Sequence, residues 1–548
     1  MTERVDVPVL IVGGGPVGLA ASILLAQQGL ESLVVERRDS VQRAPAAHVV
    51  NARTFEILRA AGVDGEALAA ACQKPSDSDQ VRWVMSLVGE ELGCLRFDGQ
   101  DDAMLAFTPT PLRNLSQHRL EAILLERLRD QPGCSIRYAH EWQGLEQDAH
   151  GVTSQVRELA SGESLEVRSR WLLAADGAGS RVRKALGIEP IGPARLASFV
   201  MIHFEANLRS LVRERPGILY FVSDPATRGV FVAHEIDSTW VFMHQWDPEK
   251  ESAEDYTEER CAALVRRALG TAAQDFAIRT VSPWHMSSQI AERYRDRRVL
   301  LVGDAAHRFP PTGGLGLNTG VQDAHNLVWK LGALEAGWAP PSLLDSYESE
   351  RRPIAQANAD ASTRNAAKMI EVVLALGPKG DGDRAAVRAA IANQAEHFDM
   401  DGLQLGFCYE GGAIVPDGSA LPAVANPVRE FVPCGRPGAR LPHAWTLRDG
   451  VRVSTLDLLP PDRFALIAGP AGEAWLEAAA KLASPPLTCL AIGRDVADPD
   501  GAWTALLGIE KDGALLVRPD QHVAWRSVHG VASPREALRS AFARVLGT

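Results

Sequence analysis

The chain opens on a switch between two hydrophobic periods. Val7–Val12 is a short unbroken apolar run, the pattern of a strand buried on both faces of a parallel sheet. Gly13-Gly14-Gly15-Pro16-Val17-Gly18 follows, then Leu19–Gln28 at helical spacing, with Gly29 as the stop. A second strand, Ser32–Val35, ends in Glu36. The same strand-then-turn order returns at Trp171–Ala175, which leads into Asp176-Gly177-Ala178-Gly179-Ser180-Arg181 and a helix ending near Gly187. It returns again at Arg298–Val302, which delivers Gly303-Asp304-Ala305-Ala306-His307. Beyond that lie Pro310-Pro311-Thr312-Gly313-Gly314-Leu315-Gly316-Leu317-Asn318 and a helix to about Leu331.

Between and after these units the pattern changes. Residues 195–250 alternate apolar and polar, as in Ile218–Val222 and Trp240–His244, and predict an antiparallel sheet. Trp83–Phe97, with a turn near Gly89, adds a hairpin to it. Tyr220, Phe221, Met243, His244 and Trp284 are candidate pocket side chains on this sheet. Helices are expected around 342–372 and 383–397, and residues 411–442, rich in Gly and Pro, read as a crossing linker. The remainder has a β–α–β order, with strands near Phe464–Ala468, Leu487–Ile492, Ala514–Arg518 and Val523–Trp525, and a closing helix.

Composition narrows the class. At about 150 residues per domain, 548 residues imply three or four domains or one large elaborated one. The 57 Lys and Arg against 69 Asp and Glu leave a net charge of -12, which excludes a nucleic-acid or anionic-membrane surface. Seven scattered cysteines without CxxC spacing imply a reduced, cytoplasmic setting, no disulfide framework and no structural zinc. The uncharged stretch between Asp6 and Gln27 is broken by Gly13, Gly14, Gly15 and Pro16, unlike a signal or spanning segment.

The chemistry begins at the first turn. GxGxxG, seventeen residues and an acid make a dinucleotide-binding pattern. Gly13 serves the tight turn, Gly15 the approach of a pyrophosphate, and Gly18 close helix–strand packing. Pro16 and Val17 open the helix whose N-terminus receives the phosphates. Glu36 suits the ribose hydroxyls and repels a 2′-phosphate, despite the neighbouring Arg37. NAD and FAD therefore both remain.

The Asp176 and Asp304 motifs, in this order, resemble the class A flavoprotein aromatic hydroxylases, the family of para-hydroxybenzoate and phenol hydroxylases. The stretch from Gly303 to Lys330 is the most specific. The resemblance implies an α/β architecture: a Rossmann-like FAD-binding domain, an inserted antiparallel substrate domain and a C-terminal thioredoxin-like domain. The implied boundaries are 1–190 and 285–400 for the FAD-binding domain, with hairpin 81–97 joining the substrate domain at 191–284. A linker at 401–442 and the tail at 443–548 complete the chain.

For FAD the resemblance implies contacts from Gly13, Gly15, Pro16, Val17, Gly18, Glu36, Arg37, Arg43, Gln117, Asp176, Gly177, Asp304, Gly316, Leu317 and Asn318. It implies hydroxylation of a small phenolic ring with NAD(P)H and O2 through a C4a-hydroperoxyflavin. His48 would act as the base and Pro311 would offer its carbonyl nearby. A same-fold oxygenase acting on a polyketide or antibiotic is the alternative, and a flavin-binding protein without turnover is a third. Neither the ring nor the choice of NADH or NADPH is legible, and the oligomeric state, a homodimer included, stays open. Cys489 is the sole cysteine of the tail past Cys434, so no dithiol chemistry is expected there.

Overall fold

The computed structural model describes residues 3–448, 450–498 and 500–548. Its first sheet orders the strands Arg295–Asp296, Val299–Leu301, Ser164–Ala174, Glu3–Val12, Ser32–Val35 and Cys134–Arg137. From Val299–Leu301 onward each neighbouring pair is parallel. The register sets Val12 opposite both Val35 and Ala174, and Ala174 opposite Leu301. Four chain segments therefore leave the carboxyl edge of the sheet at one level: at Gly13, at Glu36, at Ala175 and at Val302. This is where open α/β sheets bind ligands.

The central strands are apolar throughout because both faces are covered. Val9, Leu10, Ile11, Val34, Leu172 and Leu300 are fully buried beneath helices Pro16–Gln27 and Leu315–Glu335. Ser164–Ala174 is shared along one edge. Its first half pairs antiparallel with Val152–Glu158 and its second half pairs with Val299–Leu301.

A second, seven-stranded sheet runs Ala277–Met286, Ala197–Glu205, Thr239–Trp246, Gly229–Glu235, Leu219–Val222, Gln80–Val84 and Glu91–Arg96. All neighbours are antiparallel except Leu219–Val222 with Gln80–Val84. Side chains alternate between its faces. Tyr220, Phe231, Trp240 and Phe242 pack with Val265 and Leu269 of helix Glu258–Leu269 on one face. Phe221, Val230, Val232 and Met243 line a cavity on the other.

Helix Glu258–Leu269 and strand Ala277–Met286 lie beyond the range in which the alternating pattern was expected to end. Ala277–Met286 is an edge strand with mostly exposed or half-buried residues, so its hydrophobic alternation is weak. Helix Arg384–Ala392 stops short of the expected 397.

The last sheet orders Leu487–Ala491, Phe464–Ala468, Ala514–Val517 and Val523–Ser527, with one parallel and two antiparallel pairs. Trp475 and Leu538, from helices Glu473–Ala479 and Pro534–Leu546, cover one face. Trp329 and Ala333 of helix Leu315–Glu335 meet Phe464, Leu516 and Phe542, so the tail docks directly on the first domain.

Candidate functional site

The first motif shows three different uses of glycine. Gly13 has φ +108°, and a Cβ there would stand 2.3 Å from the Ala175 carbonyl oxygen. A Cβ on Gly18 would lie 2.0 Å from the Gly13 oxygen, so this glycine lets the helix close on the turn. A Cβ on Gly15 would meet nothing within 4 Å. Gly15 instead borders a cleft of about 390 Å³, with Gly13, Glu36, Gln117, Asp176 and Gly177 also in its wall. Pro16 starts the helix, and Val17 packs against Gly303 and Gly320, joining the first motif to the third.

Glu36 is held as an anion. Burial opposes ionisation, but Arg38 and the Gly14 N–H, which donates to it at 2.7 Å, keep its carboxyl below the usual range. Arg38 reaches Glu36 at 3.1 Å and Glu121 at 3.1 Å. Neither Arg38 nor Glu121 was anticipated from the sequence; a second arginine after Arg37 is the one local hint. Arg37 itself is exposed at the cleft. Gln117 lines the cleft, donates to Glu121 at 2.9 Å and receives the Ala47 N–H at 3.3 Å. Arg43 lies outside the cleft, exposed and paired with Asp39 at 2.9 Å.

Asp176 caps the short helix Arg181–Ala185 by accepting from Arg181 and Val182 through Oδ2, at 2.7 and 3.1 Å. Its Oδ1 is buried without a partner. An unsatisfied buried carboxylate oxygen at a cleft edge calls for a ligand donor. Beside it, Gly177 and Gly179 have nothing within 4 Å of an added Cβ. The open glycines, the orphaned oxygen and the ionised Glu36 fit the ADP half of FAD.

The third motif leaves the same carboxyl edge of the sheet, after Val302. Asp304 sits in a 3₁₀ turn at Gly303–Ala305, open to the surface yet surrounded by protein, and enclosure raises its pKa against the pull of His307 and Arg308. The one neighbour of a Cβ on Gly316 would be Asp304 Oδ1 at 3.9 Å, so the two residues face each other across open space. Leu317 follows on the same helical turn, half-buried. The loop is pinned from behind by Asp323, which accepts from His307 at 2.6 Å, Arg351 at 2.8 Å and Gly303 N at 3.2 Å.

The Asn318 side chain is engaged within the protein. It donates to Val49 O at 3.0 Å and Gly314 O at 2.6 Å and accepts from Asn51 N at 2.9 Å. It ties the glycine loop to the strand that follows His48. Gly314 completes the join, because a Cβ there would strike Val49 at 2.6 Å.

His48 and Pro311 line one cavity of about 320 Å³ under the second sheet. His48 Nδ1 lies 3.1 Å from Asn114 Oδ1. The Asn114 amide nitrogen points the other way, toward Ser78 O and Gln100 Oε1 at 3.4 and 3.5 Å. Nδ1 therefore carries the proton and Nε2 keeps its lone pair. Burial lowers the His48 pKa and the Asn114 contact partly opposes it, so the ring is neutral near pH 7.

His234 meets His48 edge-on at 5.6 Å, and the Ser116 hydroxyl bridges Nδ1 of His234 at 2.8 Å and of His118 at 2.9 Å. Nothing in the sequence joins these residues, which come from separate elements. Of the expected pocket residues, Phe221 and Met243 line the cavity. Tyr220 is buried on the opposite face, His244 is bonded to Arg228 O at 2.9 Å, and Trp284 packs on Phe199 at 5.6 Å.

An FAD cleft beside an apolar cavity that contains a neutral histidine defines a flavoprotein oxygenase. Residues 6–362 match the FAD binding domain family, and residues 434–548 match the C-terminal domain of aromatic-ring hydroxylases. The chain belongs to the FAD-dependent aromatic-ring hydroxylases, monooxygenases that draw electrons from NAD(P)H.

It is 33% identical to 2,4-dichlorophenol 6-monooxygenase of Delftia acidovorans, over 99% of this chain and 98% of that protein. It is 35% identical to the tetracenomycin A2 monooxygenase-dioxygenase of Streptomyces glaucescens, over 99% and 97%. The crystal structure of the flavin-dependent monooxygenase PieE in complex with FAD and substrate superposes with a TM-score of 0.92 at 37% identity, covering 99% of each chain. No helix among the described residues is long and apolar enough to cross a membrane.

Proposed function

We propose that this enzyme hydroxylates a phenolic ring seated beside His48, and that the ring belongs to a multi-ring, polyketide-like scaffold. The observation that carries the first part is the shared cavity of His48 and Pro311. His48 has its tautomer set by Asn114 and an unprotonated Nε2. Taking the phenolic proton makes the ring carbon electron-rich, which is what an electrophilic oxygen requires. Bound FAD supplies the activated oxygen derived from O2; the chain orients the ring, keeps the cavity dry and holds the proton. Asn114 orients the base, and the Asn318 bridge sets its distance from the flavin loop.

The second part rests on the cavity's shape. Its wall is overwhelmingly aliphatic and aromatic, and it reaches the surface between Leu196 and Ile370, which stay 41% and 58% exposed although apolar. Exposed apolar side chains at a pocket mouth suit a large flat hydrocarbon better than a single polar ring. The tail, a four-stranded sheet flanked by helices with Cys489 as a free thiol, fits a redox-silent thioredoxin-like unit that packs on the first domain.

The test is His48→Ala. The variant should retain FAD while hydroxylation falls by about 10²–10⁴-fold, the span of a general base, and NAD(P)H oxidation should be diverted to hydrogen peroxide. In the wild type the acid limb of the pH–rate profile should lie below the ordinary imidazole value, because burial depresses the His48 pKa and protonation removes the base. Asn114→Asp, which places a carboxylate on Nδ1, should move that limb upward. Unchanged coupling in His48→Ala together with an unmoved limb in Asn114→Asp would reject His48 as the base.

A further inference from the structure

The turn that joins strands Ala514–Val517 and Val523–Ser527 is buried, although connecting turns ordinarily face water. Arg518, Asp520, Gln521 and His522 are each at most 2% exposed. The Gln521 N–H closes the turn on Arg518 O at 2.9 Å, and the Arg518 N–H donates to His522 O at 2.8 Å. Gln521 holds φ +66° in spite of its side chain, a left-handed conformation that persists only where the surroundings fix it. The turn closes on a side chain of the first domain. Arg53 Nη1 donates to Gln521 Oε1 at 2.6 Å, and Arg53 Nη2 donates to Asp520 O at 2.8 Å.

Arg53 is fully buried at the start of helix Ala52–Ala60. Its anion, Glu56 at 3.0 Å, is shared with Arg440, which reaches the same carboxylate oxygen at 2.8 Å. Among the described residues the two neutral acceptors of Arg53 both lie in the tail, so the tail turn decides where this guanidinium sits. The backbone running into the helix carries the site. Asn51 caps the helix by accepting from the Thr54 N–H at 2.9 Å, and its own N–H donates to Asn318 at 2.9 Å. His48 stands three residues earlier, against Asn114 of the paired strand. His48, the tether to the flavin loop and Arg53 thus fall within six consecutive residues. From this we infer that Gln521 is a positioning residue for His48: the tail grips Arg53 and so holds the base in place relative to the flavin loop. The inference rests on the reading of His48 as the base. A neutral grip from a rigid turn conveys position rather than charge, and a displacement of about 1 Å can cost about 10²-fold in rate.

The experiment uses the FAD holoenzyme with isotope-labelled histidine rings and follows the His48 nitrogens by NMR against pH, the signal being assigned by its loss in His48→Ala. Gln521→Asn tolerates the left-handed backbone but is one methylene shorter and cannot reach Arg53; Gln521→Glu keeps the reach and an acceptor oxygen. With full FAD content and an unchanged melting temperature, Gln521→Asn should raise the His48 midpoint by about one pH unit, because burial is the larger influence holding it down and a loosened ring admits water. Gln521→Glu should return the midpoint to the wild-type value, which a general loss of packing would not allow. Product formed per NAD(P)H consumed, with a hydroxyanthraquinone as the aromatic, should fall by about 10- to 100-fold in Gln521→Asn and recover in Gln521→Glu. Should Gln521→Asn not fold, Arg53→Lys, which keeps a charge beside Glu56 but loses the two-pronged grip, carries the same expectation. An unmoved midpoint in fully flavinated Gln521→Asn or Arg53→Lys would overturn the inference, as would an equal shift in Gln521→Glu. A midpoint that moves and reverts while product per NAD(P)H stays constant would uphold the tail's grip and overturn the reading of His48 as the base.

Discussion

Glu350 is the hinge pin between the first domain and the tail, and Glu350→Gln should loosen that joint. Its carboxylate accepts from Lys330 at 2.9 Å, Asn326 at 2.6 Å, Arg518 at 2.7 and 2.9 Å, and the Ala413 N–H at 2.7 Å. Lys330 and Asn326 stand on helix Leu315–Glu335, Glu350 on helix Asp345–Leu376, and Arg518 in the tail. All three charged side chains are fully buried. Burial alone would raise the Glu350 pKa; the charges of Arg518 and Lys330 more than offset it and hold the group at about 2 instead of 4.5. At 1.36 kcal/mol per tenfold in acidity, that corresponds to about 3 kcal/mol of stabilisation.

An amide in place of the carboxylate leaves buried Lys330 without an anion and Arg518 with Asp520 alone, and breaking a buried pair in this way usually costs about 3–5 kcal/mol. Urea unfolding of the holoenzyme at pH 7, followed by tryptophan fluorescence, reads the effect directly, because Trp329 packs against Phe464 of the tail at 5.8 Å. Since the pKa is depressed in the folded state, the stabilisation is complete above about pH 4.5 and is lost as the pH falls toward 2. The gap between wild type and variant should narrow over that window. Adding Lys330→Met should recover part of the loss, since one stranded charge is removed with it. A change below about 1 kcal/mol, the scale of an exposed pair, or a gap that does not depend on pH would refute the reasoning.

Two further outcomes follow from the flavin cleft. Asp304→Ala should release FAD on dialysis, measured by visible absorbance, because its carboxylate faces the open space opposite Gly316; full retention would remove it from the site. Gly15→Ala and Gly18→Ala should part company: the first keeps the melting temperature of the FAD-free protein but weakens FAD binding, while the second lowers that melting temperature, its Cβ being 2.0 Å from a backbone oxygen. Equal behaviour of the two variants would contradict the separate roles assigned to these glycines.

The cofactor half of this enzyme was legible in the sequence because its logic is local. Gly13, Gly15 and Gly18 sit between a strand and a helix that are contiguous with them, and Glu36 follows at the end of the next strand. Backbone sterics and apolar period alone identify such a unit. The strands Phe464–Ala468 and Ser32–Val35 were legible for the same reason, as buried runs bounded by turns.

Tertiary structure decided what those units share. Parallel register aligned Val12, Val35, Ala174 and Leu301, and so brought motifs more than a hundred residues apart to one edge. It set Asn114 on His48, Asn318 between loop and strand, and Glu350 against Arg518 of the tail. It also turned alternate residues of each strand to opposite faces, sending Phe221 to the cavity and Tyr220 to the core. A polar side chain carries no local mark of the partner it will find, because that partner is fixed by how separate buried surfaces pack. The apolar pattern can say which elements exist. Which polar side chains are left unpaired, such as Oδ1 of Asp176, emerges only once every other pairing has been made.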